Sequence, residues 1–210
     1  MSEQAQGHLA LDPSTLPERE RYHLLTGLVV PRPIAWVSTR SAAGVPNVAP
    51  HSYHNVVSTD PPVVHFTSSG VKDTLANVRA TGAFVLNVVS EALLEAMNAT
   101  AADLHPEEDE ARWAGLALER AATVDAPRVA AAPAHLECTL REELVIGNGH
   151  LVLGDVVHVH VATRVWGAGR VDQEALRAVG RLGGSGYAVV ERVRHVPRPR
   201  AADLGGPGRD

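Results

Sequence analysis

Two long segments of alternating polarity, joined by a glycine turn, constrain the fold of this chain more than any other feature. In residues 134–146, Leu136, Cys138 and Leu140 alternate with polar side chains, which is the pattern of a half-buried strand. The Gly-Asn-Gly sequence at 147–149 is typical of a hairpin turn. Residues 150–166 then predict a long return strand, bulged at Gly154. The sequence therefore predicts a long antiparallel hairpin as the centre of a mainly β fold.

Shorter apolar runs predict four more strands, at 34–39, 48–58, 63–68 and 84–89. Helical spacing is confined to three inserts, at 17–29, 71–81 and 90–100, with Gly82 placed to end the second and Ser90 to cap the third. Because the strands do not alternate regularly with helices, a doubly wound parallel sheet is disfavoured. An antiparallel barrel with helical insertions is expected instead.

Composition excludes several classes of protein. The 210 residues are 45% hydrophobic, enough for one core, and we expect a single domain over 16–194, a loose arm at 1–15 and a disordered tail at 195–210. The net charge of −5 argues against a nucleic-acid partner. No apolar run long enough for a membrane span occurs, and the first residues do not resemble a signal peptide. Cys138 is the single cysteine, so no internal disulfide can form. Because it alternates with polar residues on an apolar strand face, we expect an inert buried thiol. Together these features predict a cytoplasmic protein.

The segment Ser68-Ser69-Gly70-Val71-Lys72 holds the one lysine of the chain. The unpaired N–H groups and the dipole of a helix N-terminus favour a phosphate, and a lysine in that turn conflicts with the dipole unless an anion neutralises it. The alternative is that Ser69 caps the helix and Lys72 points into water. No nucleotide-binding glycine motif is present, so this segment alone leaves both interpretations open.

Four motifs in a fixed order carry a family resemblance. They are P-R-P-I-A-x-V-S-T from Pro31, N-x-A-P-x-S from Asn47, D-P-P from Asp60 and K-D-T-x-x-N from Lys72. Together they resemble the flavin-reductase-like, FMN-binding split-barrel family, which includes reductase components of two-component flavin monooxygenases of the nitrilotriacetate monooxygenase component B type. The resemblance runs from about Tyr22 to Val161.

The resemblance implies a six-stranded antiparallel Greek-key split β-barrel that binds FMN as a homodimer. It implies that the backbone of His51, Ser52 and Tyr53, with Asn55, bonds the pyrimidine edge of the flavin. Ser38 and Thr39 would approach the ribityl chain or phosphate. The phosphate itself would be held by Ser68, Lys72 and Thr74.

The function implied by the resemblance is NAD(P)H-dependent reduction of FMN, which supplies reduced flavin to a separate oxygenase. Two alternatives remain open: a non-catalytic FMN electron carrier, and an oxygenase that retains its flavin. The flavin carries the redox chemistry, so no catalytic side chain is assigned. His158 and His160 share one strand face and are candidates for the nicotinamide side, whereas no metal site is expected because no metal-binding motif is present.

Overall fold

A computed structural model describes residues 7–105 and 108–200 of the chain. Residues 1–6 of the expected arm and 201–210 of the expected tail lie outside this range. Within it, residues 195–200 are exposed and contain neither helix nor strand. The domain boundaries at 16 and 194 stay predictions.

A sheet of seven antiparallel strands forms the centre of the described structure. The strands are β1 (Ala35–Arg40), β2 (Pro46–His51), β3 (His54–Thr59), β4 (Pro62–Ser69), β5 (Ala83–Asn87), β6 (Ala134–Ile146) and β7 (Gly149–Val161). Their order across the sheet is β2-β1-β5-β6-β7-β4-β3. The mainly β fold with helical insertions is therefore confirmed.

The two edge strands of the sheet, β2 and β3, are consecutive in the chain, so the sheet curls to bring its edges together. Only the bend at Ser52 and Tyr53 separates β2 from β3. The prediction of one strand over 48–58 is wrong, because the chain breaks at Ser52 and Tyr53 into two strands. This break makes seven strands of the six expected.

The central hairpin forms as predicted. β6 matches the predicted strand at both ends, whereas β7 ends at Val161, five residues before the predicted end. The register shifts between Leu153 and Gly154, which confirms the bulge. A Cβ on Gly154 would lie 2.9 Å from Cε1 of Phe84, so only glycine fits against that ring.

Five α-helices, all short, lie within the described residues. They are α1 (Glu18–Leu28), α2 (Asp73–Thr81), α3 (Leu94–Ala99), α4 (Glu110–Trp113) and α5 (Gln173–Leu176). Single 3-10 turns occur at Pro13–Thr15, Glu91–Leu93 and Thr163–Val165. Gly82 ends α2 at φ +67° as predicted. The helix predicted over 90–100 is a 3-10 turn followed by α3, and the side chain of Ser90 makes no cap bond.

Short strands outside the main sheet form three small sheets. They pair Leu118–Arg120 with Pro127–Val129, Trp166–Gly167 with Arg170–Val171, and Val179–Arg181 with both Arg32–Pro33 and Tyr187–Val189.

The core lies between the curled sheet and α2. Phe66, Leu75, Phe84 and Cys138 are each at most 1% exposed and belong to one apolar cluster. Burial of side chains this size stabilises the fold by about 1.5–3 kcal/mol each. Burial also raises the pKa of Cys138 to about 12, which keeps it a neutral thiol. Leu75 packs the start of α2 against the sheet.

A buried arginine attaches α1 to the rest of the domain. The guanidinium of Arg32 donates to the carbonyls of Thr26 (2.5 Å) and Val29 (2.8 Å) at the C-terminal end of α1, and to that of Leu182 (3.0 Å). A cation at a helix C-terminus is favourable because it meets the carbonyl ends of the peptide dipoles.

None of the described helices is long and apolar enough to cross a bilayer.

Candidate functional site

A cleft of about 410 Å³ opens where the sheet curls. Its walls are the end of β2, the Ser52–Tyr53 bend, the end of β4 and the start of α2. Tyr22 of α1, the segment 100–104 and Glu110 of α4 complete the lining. The volume is in the range of small-molecule sites, which usually measure about 300–1,000 Å³.

The turn before α2 presents free backbone donors to the cleft. Gly70 adopts φ +81°, a conformation that favours glycine, and turns the chain after β4. Lys72 is the N-cap residue, with an extended backbone and no side-chain cap bond. The first described amide to bond within the helix is that of Ala76, to the Lys72 carbonyl at 3.0 Å. The N–H groups of the first turn therefore remain available to an anion.

Lys72 itself lies at the rim of the cleft. Its side chain is 67% exposed, and its Nζ lies 3.9 Å from the carboxylate of Asp103. The two interpretations from the sequence are therefore both incomplete. Ser69 does not cap the helix, and Lys72 faces a carboxylate at the edge of the cleft.

Thr74 and Ser68 lie deeper in the cleft wall and already have hydrogen-bond partners. Thr74 is 2% exposed, and its hydroxyl donates to Oδ1 of Asn47 at 2.9 Å. The hydroxyl of Ser68 donates to the carbonyl of Gly70 at 2.8 Å. To donate to a ligand, either hydroxyl must first release its present acceptor.

His51 forms part of the cleft wall against the core. Its ring packs against Phe66 with centroids 4.8 Å apart. Burial lowers the pKa of His51 to about 4, and the charge of Lys72 adds to the effect. The ring is therefore neutral at pH 7. Its Nε2 is buried and has no hydrogen-bond partner among the described residues.

A buried carboxylate, which the sequence analysis missed, completes the cleft floor. Glu110 is 7% exposed; it accepts from Nδ2 of Asn47 (2.7 Å) and from the Val48 N–H (3.2 Å). Burial raises its pKa, and the nearby Asp73 carboxylate adds to the rise. Glu110 belongs to the acidic run 103–110, a pattern typical of a solvated loop or helix face, yet its own side chain is buried. Among the described acids of this run Glu110 alone is buried, and its sequence neighbours do not distinguish it from the exposed ones.

Tyr22 and Tyr53 stand at the mouth of the cleft. They are 55% and 38% exposed, and the guanidinium of Arg32 lies 5.9 Å from the centroid of the Tyr53 ring. Burial raises the pKa of Tyr53, with a further contribution from Tyr22, so the Tyr53 phenol is a neutral donor. Tyr22 was not among the predicted site residues; it reaches the cleft from α1, whose C-terminal end is bonded by Arg32.

Six of the nine predicted cofactor residues line this cleft: His51, Ser52, Tyr53, Ser68, Lys72 and Thr74. The structure places the other three elsewhere. Ser38 is fully buried between the carbonyl of Pro127 and the amide of Asn87. Thr39 lies one layer behind the wall and donates to Oδ1 of Asn47 at 3.3 Å. Asn55 is exposed on β3, and its side chain bonds the N–H of Val56.

The histidines proposed for the nicotinamide side form a separate cluster on β7. The rings of His158 and His160 lie 4.7 Å apart, so they share one face as predicted. Nε2 of His160 bonds the buried carboxylate of Glu137 at 2.6 Å. Neither histidine lines the cleft described above. No group of metal-binding side chains suited to an ion occurs among residues 7–105 and 108–200.

Comparison with known proteins identifies the fold and its relatives. Residues 27–173 match the family described as "Flavin reductase like domain". Nitrilotriacetate monooxygenase component B from Bacillus cereus is 33% identical, with a TM-score of 0.88 over 91% of this chain and 100% of that one. The 2-nitrobenzoate 2-nitroreductase NbaA of Pseudomonas fluorescens is 34% identical, with a TM-score of 0.83 over 93% and 100% of the two chains. A Shewanella frigidimarina protein with a split barrel domain, 23% identical, superposes with a TM-score of 0.79 over 89% and 96%. The curled sheet is thus a split barrel.

Proposed function

Because the chain belongs to the flavin reductase-like domain family, we propose that it is an NAD(P)H-dependent flavin reductase that binds FMN in the cleft. The coarser function, that of a flavin oxidoreductase, follows from the family and its relatives. The observation that carries the finer proposal is the cleft at the start of α2. It joins free helix amides to a wall made by the bend between two strands.

The donors and acceptors of the cleft fit a flavin. The first-turn amides of α2, with Ser68, Lys72 and Thr74 beside them, would hold the phosphate end. The Ser52–Tyr53 bend would meet the polar edge of the ring, and the orphaned Nε2 of His51 is a further polar atom at that wall. When bound, the flavin supplies a hydride acceptor for NAD(P)H. The protein residues position the ring and exclude water from it.

The phenols at the mouth have a positioning role in this proposal. Tyr22 and Tyr53 present flat apolar faces with polar tips, which suits the stacking of a planar ring at the open side of the cleft. The buried charge of Arg32 behind Tyr53 stabilises that phenol face through a cation–π contact.

We also propose that two chains form a homodimer. Val56 and Val57 of β3 and Leu28 of α1 are each more than half exposed, which is unfavourable in a monomer. Asn55 lies on the same outer strand and would meet the flavin of a partner subunit rather than its own. Light scattering after size-exclusion chromatography tests this proposal.

The relation to a monooxygenase component B supports a further step, in which the reduced flavin passes to a separate oxygenase. We place this reaction in the cytoplasm. The one cysteine, Cys138, is free and buried, so the fold has no disulfide that would need an oxidising compartment.

The test is oxidation of NADH and NADPH by the purified protein, with and without FMN. Turnover with one nucleotide that depends on added FMN is expected, and no turnover with either nucleotide contradicts the proposal. Ala49→Phe places a ring in the cleft and should reduce turnover more than tenfold. Ala42→Phe, in the exposed turn before β2, is the matched control and should leave turnover unchanged.

A second candidate function is reduction of an organic substrate on a retained flavin. The similarity to NbaA favours it. A yellow preparation that oxidises NAD(P)H only when a nitroaromatic compound is added would support this function over flavin release. A yellow preparation with slow oxidation under all conditions would instead indicate an electron carrier.

A further inference from the structure

A second concavity, larger than the cleft, lies beside α4. It measures about 720 Å³, which is within the range of small-molecule sites. Its walls come from three parts of the chain: the end of β1 with the start of β2, α4 with its flanking residues, and the short strands Leu118–Arg120 and Pro127–Val129. We call it the arginine groove, after Arg40, Arg112 and Arg120 in its lining. It shares no lining residue with the cleft, and the proposed function leaves it without a role.

The floor of the arginine groove is apolar. Leu116 and Leu118 are half-buried and pack on the core beneath them, and Pro46 and Pro127 lie beside them in the lining. Apolar surface that stays partly exposed in a concavity gains free energy when a ligand covers it. The floor therefore favours a ligand with an apolar body.

Three arginines from separate segments surround this floor. Arg112 and Arg120 are exposed, and neither guanidinium has a hydrogen-bond or ion-pair partner among the described residues. Arg40 donates from Nη1 to the Gly44 carbonyl at 2.8 Å, while its buried Nε has no hydrogen-bond partner in the described part of the chain. The groove therefore presents unused guanidinium N–H donors, whose fork geometry matches a carboxylate.

The three carboxylates of the groove each have a partner of their own. Oδ1 of Asp109 accepts from two backbone N–H groups at the start of α4. Glu119 lies 2.8 Å from the guanidinium of Arg128, and Asp125 lies 3.4 Å from that of Arg40. With Arg128 included, four positive and three negative charges leave +1, in a chain whose net charge is −5. The excess positive charge therefore belongs to the two exposed arginines.

We propose that the arginine groove is a second ligand site, which binds a small organic carboxylate with its apolar body on the floor and its carboxylate against Arg112 and Arg120. One carboxylate matches the excess charge, whereas a phosphate monoester, at roughly −1.5 to −2, exceeds it. Walls from three segments suit a compact molecule better than an extended acidic peptide. Because the groove and the cleft share no lining residue, the site does not depend on the proposed flavin function.

The experiment titrates benzoate into full-length, isotope-labelled protein and follows the backbone amides by nuclear magnetic resonance. Benzoate should shift the amides of Leu118 and Arg120, with a dissociation constant on the order of 1 mM or lower. Benzamide keeps the ring without the charge, and acetate keeps the charge without the ring. Each should bind at least about fivefold more weakly than benzoate, because each lacks one of the two interactions.

Substitution of the exposed arginines tests their role. Arg112→Gln and Arg120→Gln should each raise the dissociation constant for benzoate about two- to fivefold, the range of an exposed ion pair. Arg164→Gln is the matched control, because Arg164 is exposed and lines neither the groove nor the cleft. All three changes are at exposed side chains and should leave the fold intact.

Four results would overturn the proposal. Benzamide that binds as tightly as benzoate would show that the arginines do not recognise charge. Arg112→Gln and Arg120→Gln variants that match Arg164→Gln would show the same, and benzoate shifts confined to cleft amides such as that of Tyr53 would place the acid elsewhere. Tetraglutamate that binds more tightly than benzoate would make an acidic protein segment the occupant. FMN-dependent turnover is measured separately, so each of these results leaves the proposed function in place.

Discussion

Glu137 offers the sharpest test of the electrostatic reasoning. It lies on β6, it is fully buried, and four donors surround its carboxylate at 2.6–2.7 Å. They are the N–H of Ala122, the N–H and hydroxyl of Thr123, and Nε2 of His160. Burial by itself raises the pKa of Glu137, but the four hydrogen bonds outweigh it and lower the pKa to about 2.

The magnitude follows from the shift. Between the ordinary value of 4.5 and about 2 there are some 2.5 pKa units, and at 1.36 kcal/mol per unit this is about 3 kcal/mol of stability at neutral pH. Because the folded pKa is depressed, this contribution is complete above about pH 4.5 and is lost as the pH falls through 2. Glu137→Gln should therefore lower the free energy of unfolding by about 3 kcal/mol at pH 7, since an amide group then faces donors.

The assay is urea denaturation followed by circular dichroism at several pH values from 7 to 2.5. The unsubstituted protein should lose stability steeply below pH 4.5, and the Glu137→Gln variant should show a shallower decline. Glu142→Gln, on an exposed position of the same strand, is the control and should stay within about 0.5 kcal/mol. A Glu137→Gln variant that matches this control at pH 7, or that keeps the steep acid decline, would refute the reasoning.

Four further predictions follow from single contacts. His51→Phe should flatten the loss of stability between about pH 6.5 and 4 in the same titration, because a buried neutral histidine with its pKa lowered to about 4 destabilises the fold as the unfolded chain takes up protons. Gly154→Ala should cost about 1–3 kcal/mol in thermal unfolding through its clash with Phe84; unchanged stability would mean that the ring can move aside. Arg32→Leu should destabilise the fold by about 2–4 kcal/mol and raise hydrogen exchange in α1, where unaltered exchange would contradict the attachment. Lys72→Ala should weaken FMN binding about two- to tenfold and leave riboflavin binding alone, and equal losses for both flavins would place Lys72 at the ring instead.

The part of the site that sequence reasoning recovered is local. Ser68, Lys72 and Thr74 lie within seven consecutive residues, and a turn that opens a helix places them side by side whatever the remaining chain does. The same holds for His51 to Tyr53, which belong to one bend. The resemblance then supplied a cofactor for a feature that the helix start already suggested.

The part that sequence reasoning missed comes from remote segments. Tyr22 and Glu110 reach the cleft from helices about 30–40 residues away in sequence from the bend and from α2, and nothing in their own segments marks them. Ser38 was predicted to bind the cofactor, but it does not line the cleft. Its strand was predicted correctly, whereas its hydroxyl donates to the Pro127 carbonyl because the short strand Pro127–Val129 covers that face.

By itself, the sequence determined the periodic elements of this protein: the alternating hairpin from residue 134 onward, the helix after Gly70, and the motif order of a flavin reductase-like chain. These depend on side-chain polarity and turn chemistry within a few residues. Tertiary structure alone decided which face of each strand meets the cleft, that Glu110 is buried there, and that Asp103 stands opposite Lys72. Such pairings depend on the curl of the sheet and on where the connecting segments cross it, and no local pattern encodes those distances.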